Sequence, residues 1–173
     1  MSNSQKNDVL LRNIVEEDAS VLLELNNDPN IAKCVVGNPQ KVTMKEQIEW
    51  MKNLSTETMT ARFMIEYNSK AVGTIIISNI DRAVQTGNVN IKLLREYQGR
   101  GIGKKAVTLA VEYCFSNLGL LCLTAHILED NYPSQALFEK VGFVKEGVLR
   151  SRIVKDGVRK NLVSYSLLCS EFK

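Results

Sequence analysis

The residues with the clearest chemical potential run from Leu93 to Lys105. Glycines stand at 99, 101 and 103, with Gln98 before them and Arg100, Lys104 and Lys105 among and after them. A strand-like run precedes this stretch and an amphipathic helix follows it. Glycines at alternate positions where a strand hands over to a helix let the backbone turn its N–H groups toward an anion. The helix start adds unpaired N–H groups and a positive dipole end. The turn is therefore expected to hold the pyrophosphate of a coenzyme, with the rest of the chain placing a second substrate beside it. Two common phosphate loops do not fit. In G-x-x-x-x-G-K-[ST], Gly103 and Lys104 are in place, but Gln98 replaces the first glycine and Lys105 the magnesium-holding Ser or Thr. In G-x-G-x-x-G, Gly99 and Gly101 are in place, but Lys104 replaces the last glycine. From the glycines alone, a tight turn without a ligand stays open.

Other reactive side chains are few. His126 is the single histidine and reads as a hydrogen-bonded strand residue. Cysteines stand at 34, 114, 122 and 169 with no C-x-x-C spacing, so no metal site is expected. Cys114 and Cys122 read as small core residues, a usage that fits a reducing, cytoplasmic setting. The 173 residues suit one domain, 45% hydrophobic and 24% charged. The net charge of +3 is spread along the chain, which argues against a nucleic-acid partner. Leu120 to Leu123 is the longest apolar run, far short of the ~20 residues a membrane span needs, and Met1 to Asp8 lacks a signal-peptide pattern.

The elements that would position the glycine turn follow from periodicity. Val9 to Ile14 reads as a strand. Glu16 to Asp18 start a helix, which the Asn26 to Asn30 stretch with Pro29 ends. Residues 31 to 42 read as irregular. Thr43 and Glu46 form a capping box for a second helix, with Ile48, Met51 and Trp50 inward. Ala61 to Tyr67 and Ala71 to Ile80 read as a hairpin about Asn68-Ser69-Lys70, and Val89, Ile91 and Leu93 as one apolar face of a further strand. After the turn, Val107, Ala110, Val111, Cys114, Phe115 and Leu118 make a single helical stripe. Leu121 to Leu128 is a strand. Asp130 or Asn131 caps a helix that Gly142 stops. Phe143 to Val154 and Leu162 to Leu168 are strands about Asp156-Gly157. The order β-α-α-β-β-β-α-β-α-β-β predicts a mixed α/β domain: about seven strands in a mostly antiparallel sheet, with four helices.

Gln98-Gly99-Arg100-Gly101-Ile102-Gly103 resembles the Q/R-x-x-G-x-G/A signature of the GNAT superfamily of acyl-CoA-dependent N-acyltransferases. Asn131 to Phe143 resembles that family's second coenzyme segment, N-x-x-[SA]-x-x-[LF]-[YF]-x-K-x-G-F, and the element order is similar to the GNAT fold. Val9 to Met51 resembles the RimJ/RimL-like branch through Asn27-Asp28-Pro29 and Glu49-Trp50. The resemblance covers about residues 8 to 170 as one domain.

It implies transfer of an acetyl group from acetyl-CoA, a co-substrate, to a primary amine: a protein N-terminus, an amino sugar or a small molecule. The attack would be direct, in a ternary complex. The residues it assigns to the coenzyme are Ile91, Leu93, Gln98, Gly99, Arg100, Gly101, Gly103, Lys104, Asn131 and Phe138. Ile91 to Leu93 would offer backbone groups to the pantetheine arm where their strand splays from its neighbour at a bulge. Leu137 and Phe138 would pack on the coenzyme or in the core. Phe138 stands where many members carry a tyrosine acid, which makes Ser134 the candidate general acid. Asn90 stands where many carry a glutamate base, so the base is unassigned. A CoA-binding regulatory module without catalysis is the alternative, and a homodimer is left open. The basic hairpin Arg150, Arg152, Lys155, Arg159 and Lys160, with the segment around 28 to 42, suggests an acceptor bearing negative charge rather than a polyamine.

Overall fold

A computed structural model describes residues 8–54 and 57–173. The strands are β1 (Val9–Arg12), β2 (Ala61–Tyr67), β3 (Lys70–Asp81), β4 (Thr86–Leu93), β5 (Cys122–Leu128), β6 (Val144–Lys155) and β7 (Val158–Leu168). They form one sheet in the order β1-β2-β3-β4-β5-β7-β6. Every neighbouring pair is antiparallel except β4 with β5. The helices are α1 (Ala19–Asn27), α2 (Pro29–Cys34), α3 (Met44–Lys52), α4 (Ile102–Ser116) and α5 (Tyr132–Val141). This is the GNAT fold expected from the sequence, with five helices rather than four.

The additional helix, α2, occupies part of the stretch read as irregular. Pro29 does not only end α1; it stands at the first position of α2, where a missing N–H costs nothing. Asp28 caps that helix, its carboxylate accepting from Asn30 N–H at 2.7 Å and Ile31 N–H at 3.3 Å. The Thr43 capping box holds as expected, with Thr43 N–H donating to Glu46 Oε2 at 2.7 Å and Glu46 N–H to Thr43 Oγ1 at 3.3 Å. Trp50 is not core: it is 36% exposed, with the Arg62 guanidinium 5.4 Å from its ring. Both hairpin turns use left-handed residues, Asn68 and Ser69 in one and Asp156 and Gly157 in the other.

Successive strand side chains alternate between faces, and β4 shows what covers each face. The Leu93 side chain lies against Gly103 of α4, whereas Lys92 reaches Asn26 of α1. Helices α1 and α4 therefore sit on opposite faces of the sheet. The main core lies under α4, where Val107, Ala110, Val111 and Cys114 meet Ile75, Ile77, Val89, Leu123 and Ala125. Each buried valine or larger side chain there contributes about 1.5–3 kcal/mol. A smaller cluster of Leu25, Ile31 and Leu94 ties α1 and α2 to the far end of β4.

Candidate active site

Strands β4 and β5 pair only through Thr86–Cys122, Gly87–Leu123 and Asn88–Thr124. Beyond Asn88 the two strands part, although β4 runs on to Leu93 and β5 to Leu128. Leu94 N–H donates to Val72 O of β3 at 2.9 Å. By alternation, Ile91 and Leu93 turn their backbone groups the other way, into the gap. The anticipated splay is present, but the irregularity beside it is on β3. There the register shifts between Ser78 and Asp81 and Asn79 has φ 52°, while β4 pairs evenly from Asn88 to Leu93.

The glycine turn closes the same end of the gap. Gly99 and Gly101 have φ 72° and 79°, conformations that side chains with a Cβ seldom adopt. Gly101 is the N-cap of α4 and receives no side-chain cap. Lys105 N–H donates to Gly101 O at 3.2 Å, so the N–H groups of Ile102, Gly103 and Lys104 lie ahead of the helical ladder. Gly103 also has a packing task. It is helical, and a Cβ there would stand 3.3 Å from the side-chain ends of both Leu137 and Leu93, so glycine lets α4, α5 and β4 pack closely. Gln98 folds back, its Nε2 donating to Leu93 O at 2.9 Å. Arg100 stacks near Tyr67 and Tyr97, at 5.5 and 5.6 Å. A hollow of about 190 Å³ beside the turn is lined by Tyr67, Arg100, Gly101, Ile102 and Lys105 among others. Lys104 is exposed.

Asn131 does two jobs at the start of α5. Its Oδ1 caps Ser134 N–H at 3.3 Å, and its Nδ2 donates to Cys34 O at 3.0 Å, tying α5 to the end of α2. Ser134 is half-buried. Phe138 is 2% exposed and packs edge-on against Phe143 with ring centres 5.0 Å apart. It belongs to the core, one of the two places expected for it, and its ring meets no open surface.

On the α1 face of the gap lies a polar network that sequence reasoning missed. Asn90 Nδ2 donates to Ser78 Oγ at 3.2 Å and to Asn88 Oδ1 at 3.0 Å. Asn88 Nδ2 lies 3.2 Å from both Thr124 Oγ1 and His126 Nδ1. With Nδ1 accepting, the neutral His126 ring carries its proton on Nε2. Burial, and then the charge of Arg152, hold the His126 pKa below its ordinary value. Further along β4, Lys92 Nζ donates to Asn26 Oδ1 at 2.9 Å, and Asn26 Nδ2 to Gln47 Oε1 at 2.9 Å.

The basic hairpin is less available than its sequence suggested. Lys155 is 6% exposed and donates to the carbonyls of Ala32, Val35 and Gly37 at 2.8, 3.0 and 2.7 Å. It therefore seals the C-terminal end of α2. Lys160 pairs with Asp130 at 2.7 Å, and Arg159 donates to Ser151 O at 3.2 Å. Arg150 and Arg152 are exposed, on a bulge between Leu149 and Ile153 where Ser151 has φ 50°. Asn38 anchors the 35–42 segment to the same hairpin, bonding Val154 O at 3.0 Å and Asp156 N–H at 3.1 Å. A hollow of about 210 Å³ opens nearby, lined by Glu129, Asp130, Tyr132, Lys160 and Asn161. Among the described residues no group of three or more His, Cys, Asp or Glu could hold a metal ion, and no helix is long and apolar enough to cross a membrane.

A family model described as an acetyltransferase (GNAT) domain matches residues 8–144. The chain is 28% identical over 166 residues to an uncharacterized N-acetyltransferase, p20 of Bacillus licheniformis, covering 94% of this chain and 93% of that one. It is 26% identical over 172 residues to YdaF of Bacillus subtilis (strain 168), provisionally named a ribosomal N-acetyltransferase, covering 95% and 93%. The crystal structure of spermidine N-acetyltransferase from Vibrio cholerae in complex with CoA and spermine superposes with a TM-score of 0.88, at 25% identity, covering 98% of each chain.

Proposed function

The chain belongs to the GNAT acetyltransferase family and is an acetyl-CoA-dependent N-acetyltransferase; from that premise we propose that it acetylates a primary amine that also carries negative charge. The reaction is a direct attack in a ternary complex, within a single domain over residues 8 to 170. One observation carries the reading. The gap where β4 leaves β5 opens beside the uncapped start of α4, so one cleft offers strand-edge groups and unpaired N–H groups together. Ile91 and Leu93 hydrogen-bond the pantetheine arm, and residues 102 to 104, with Gly99 and Gly101 shaping the turn, hold the pyrophosphate. Gln98 and Phe138 support this cleft by hydrogen bonding and packing rather than by touching the coenzyme, and Gly103 adds packing against Leu93 and Leu137 to its N–H. Arg100 and Lys104 add charge at the turn, and Asn131 orients the first turn of α5.

The neutral amine attacks the thioester carbonyl, the new C–N bond forms, and the C–S bond breaks as the oxyanion collapses. The sulfur then takes a proton. Ser134 is the proposed donor, half-buried on the first turn of α5, because Phe138 has no proton to give; the nitrogen sheds its extra proton as the amide forms, and that proton restores the Ser134 hydroxyl. No carboxylate stands on β4 beyond Thr86, and the His126 ring presents N–H rather than a lone pair at Nε2. The ammonium proton of the acceptor therefore leaves to water. The binding-only alternative, raised by Phe138 and Asn90, gives way to turnover supported in this manner.

For the acceptor, residues 29 to 45 contain no Asp or Glu, and Arg150 and Arg152 stand on the facing bulge. Both features disfavour a polyamine, and YdaF supports a peptide-type acceptor and the RimJ/RimL-like branch. A polyamine is the second reading. It is favoured by the similarity to the Vibrio cholerae spermidine enzyme and by Glu129 and Asp130 in the 210 Å³ hollow. There, however, Asp130 is paired with Lys160 and Glu129 accepts from Asn161 at 2.8 Å. CoA release from acetyl-CoA across peptides, amino sugars, amino acids and spermidine tests the reading. Spermidine as the best acceptor would replace it with the second.

A further inference from the structure

We propose that Lys92 is an anchor for the acceptor, its ammonium binding a carboxylate or phosphate carried by the amine that is acetylated. The inference deepens the reading above and rests on its placement of acetyl-CoA in the β4–β5 gap. Lys92 lies between Ile91 and Leu93, the two residues whose backbone lines that gap. Its side chain points to the opposite face of the sheet from α4, so it is out of reach of the pyrophosphate at the start of that helix. It stands instead on the α1 face, along the same lip as Asn88 and Asn90, with His126 across the gap on β5.

The surroundings of Lys92 are unusual for a lysine drawn out of water. It is half-buried, and Asn26 Oδ1 at 2.9 Å is its one hydrogen-bond acceptor among the described residues. No carboxylate there lies within ion-pair distance. An ammonium has three N–H donors, so two remain for something else. Other withdrawn cations have charged or multiple partners: Lys155 three carbonyls, Arg12 both Asp18 and Glu66, Arg62 the carboxylate of Glu57 and Lys160 that of Asp130. Burial alone lowers the Lys92 pKa from its ordinary value, the cost of a charge without a counter-ion.

The neighbouring amides are oriented for a cation and do not neutralise it. Asn26 turns its oxygen to Lys92 and its Nδ2 to Gln47 Oε1 at 2.9 Å. Gln47 is 2% exposed, and its Nε2 is buried without a partner. Two amide dipoles thus point their negative ends toward Lys92, at the expense of one unsatisfied donor at the far end. Such an arrangement steers the ammonium while leaving its charge for a ligand. The same charge at the lip repels a polycation.

The test uses paired acceptors with the intact protein. The ω-amino carboxylates from glycine to 6-aminohexanoate are compared with their carboxamides, phosphoethanolamine with ethanolamine, and spermidine is added. Rates of CoA release give kcat/KM for wild type, Lys92→Met and Lys92→Arg, and calorimetry gives CoA affinity. Wild type is expected to favour at least one anionic member over its neutral twin by about 10- to 100-fold, the range of a hydrogen bond to a charged group. Lys92→Met should bring that ratio close to unity and leave CoA affinity unchanged, while Lys92→Arg retains it. The carboxylate and phosphate arms identify which anion is read. A ratio that survives Lys92→Met overturns the anchor alone. A wild type that turns over spermidine or the neutral twins faster than every anionic member overturns the anchor together with the anionic-acceptor reading. CoA binding without release from any amine overturns both the anchor and the function it rests on.

Discussion

The two ends of the cleft are built in different ways. At the coenzyme end, the working groups are main-chain: the outward edge of Ile91 and Leu93 and the N–H groups ahead of the α4 ladder. Side chains there mostly brace the backbone, as Gln98 does at Leu93 O and Arg100 does between two tyrosines. At the acceptor end, shape depends on side chains that bridge segments more than 90 residues apart. Lys155 holds α2, Asn38 holds the 156 turn, and Asn131 holds Cys34. A backbone site needs little beyond glycines and a helix start, so it can serve one invariant coenzyme. A side-chain site changes with each substitution, which suits a variable acceptor.

Substitutions at the two ends should therefore separate coenzyme binding from acceptor use. Ser134→Ala should have the largest effect, lowering kcat about 100-fold or more with CoA affinity unchanged. A variant as fast as the parent would remove Ser134 as the acid. Lys155→Met leaves three carbonyls without their donor and should cost about 2–4 kcal/mol of stability in urea titrations. The surviving folded fraction should show a raised KM for the acceptor and an unaltered one for acetyl-CoA. Gly101→Val forces a left-handed residue to carry a branched Cβ, with nothing nearby for it to strike. The strain, about 1–2 kcal/mol, should weaken CoA about tenfold while leaving acceptor preference intact. His126 should give the smallest effect. Its pKa is lowered in the folded chain, so the unfolded chain binds the proton more readily. Its contribution is complete above about pH 6.5 and is lost as pH falls through the folded value. His126→Gln should flatten that part of the stability profile below about pH 6.5.

The same contrast explains what the sequence made legible. Strand β4, the turn and α4 follow from local patterns: period-2 alternation, alternate glycines and one helical stripe; the splay of β4 is implied by the family resemblance alone. Gly103 and Phe138 also pack on Leu137 and Phe143, contacts that no local pattern gives. At the acceptor end the local signals misled. Pro29 signals a helix end, yet Asp28 turns it into a helix start. Lys155 is one of five basic residues in a hairpin by sequence, and only the return of residues 32 to 37 to that hairpin buries it. The network of Asn88, Asn90 and His126, and the Asn26–Lys92 contact, depend on strand register and on which face α1 covers. No residue spacing within one segment carries that information.

The most direct measurement is a crystal structure of the protein with CoA. The account predicts the pantetheine arm alongside Ile91 to Leu93 in the β4–β5 gap, with pyrophosphate oxygens on the N–H groups of residues 102 to 104. Coenzyme bound elsewhere, for instance with its phosphates away from the start of α4, would contradict it.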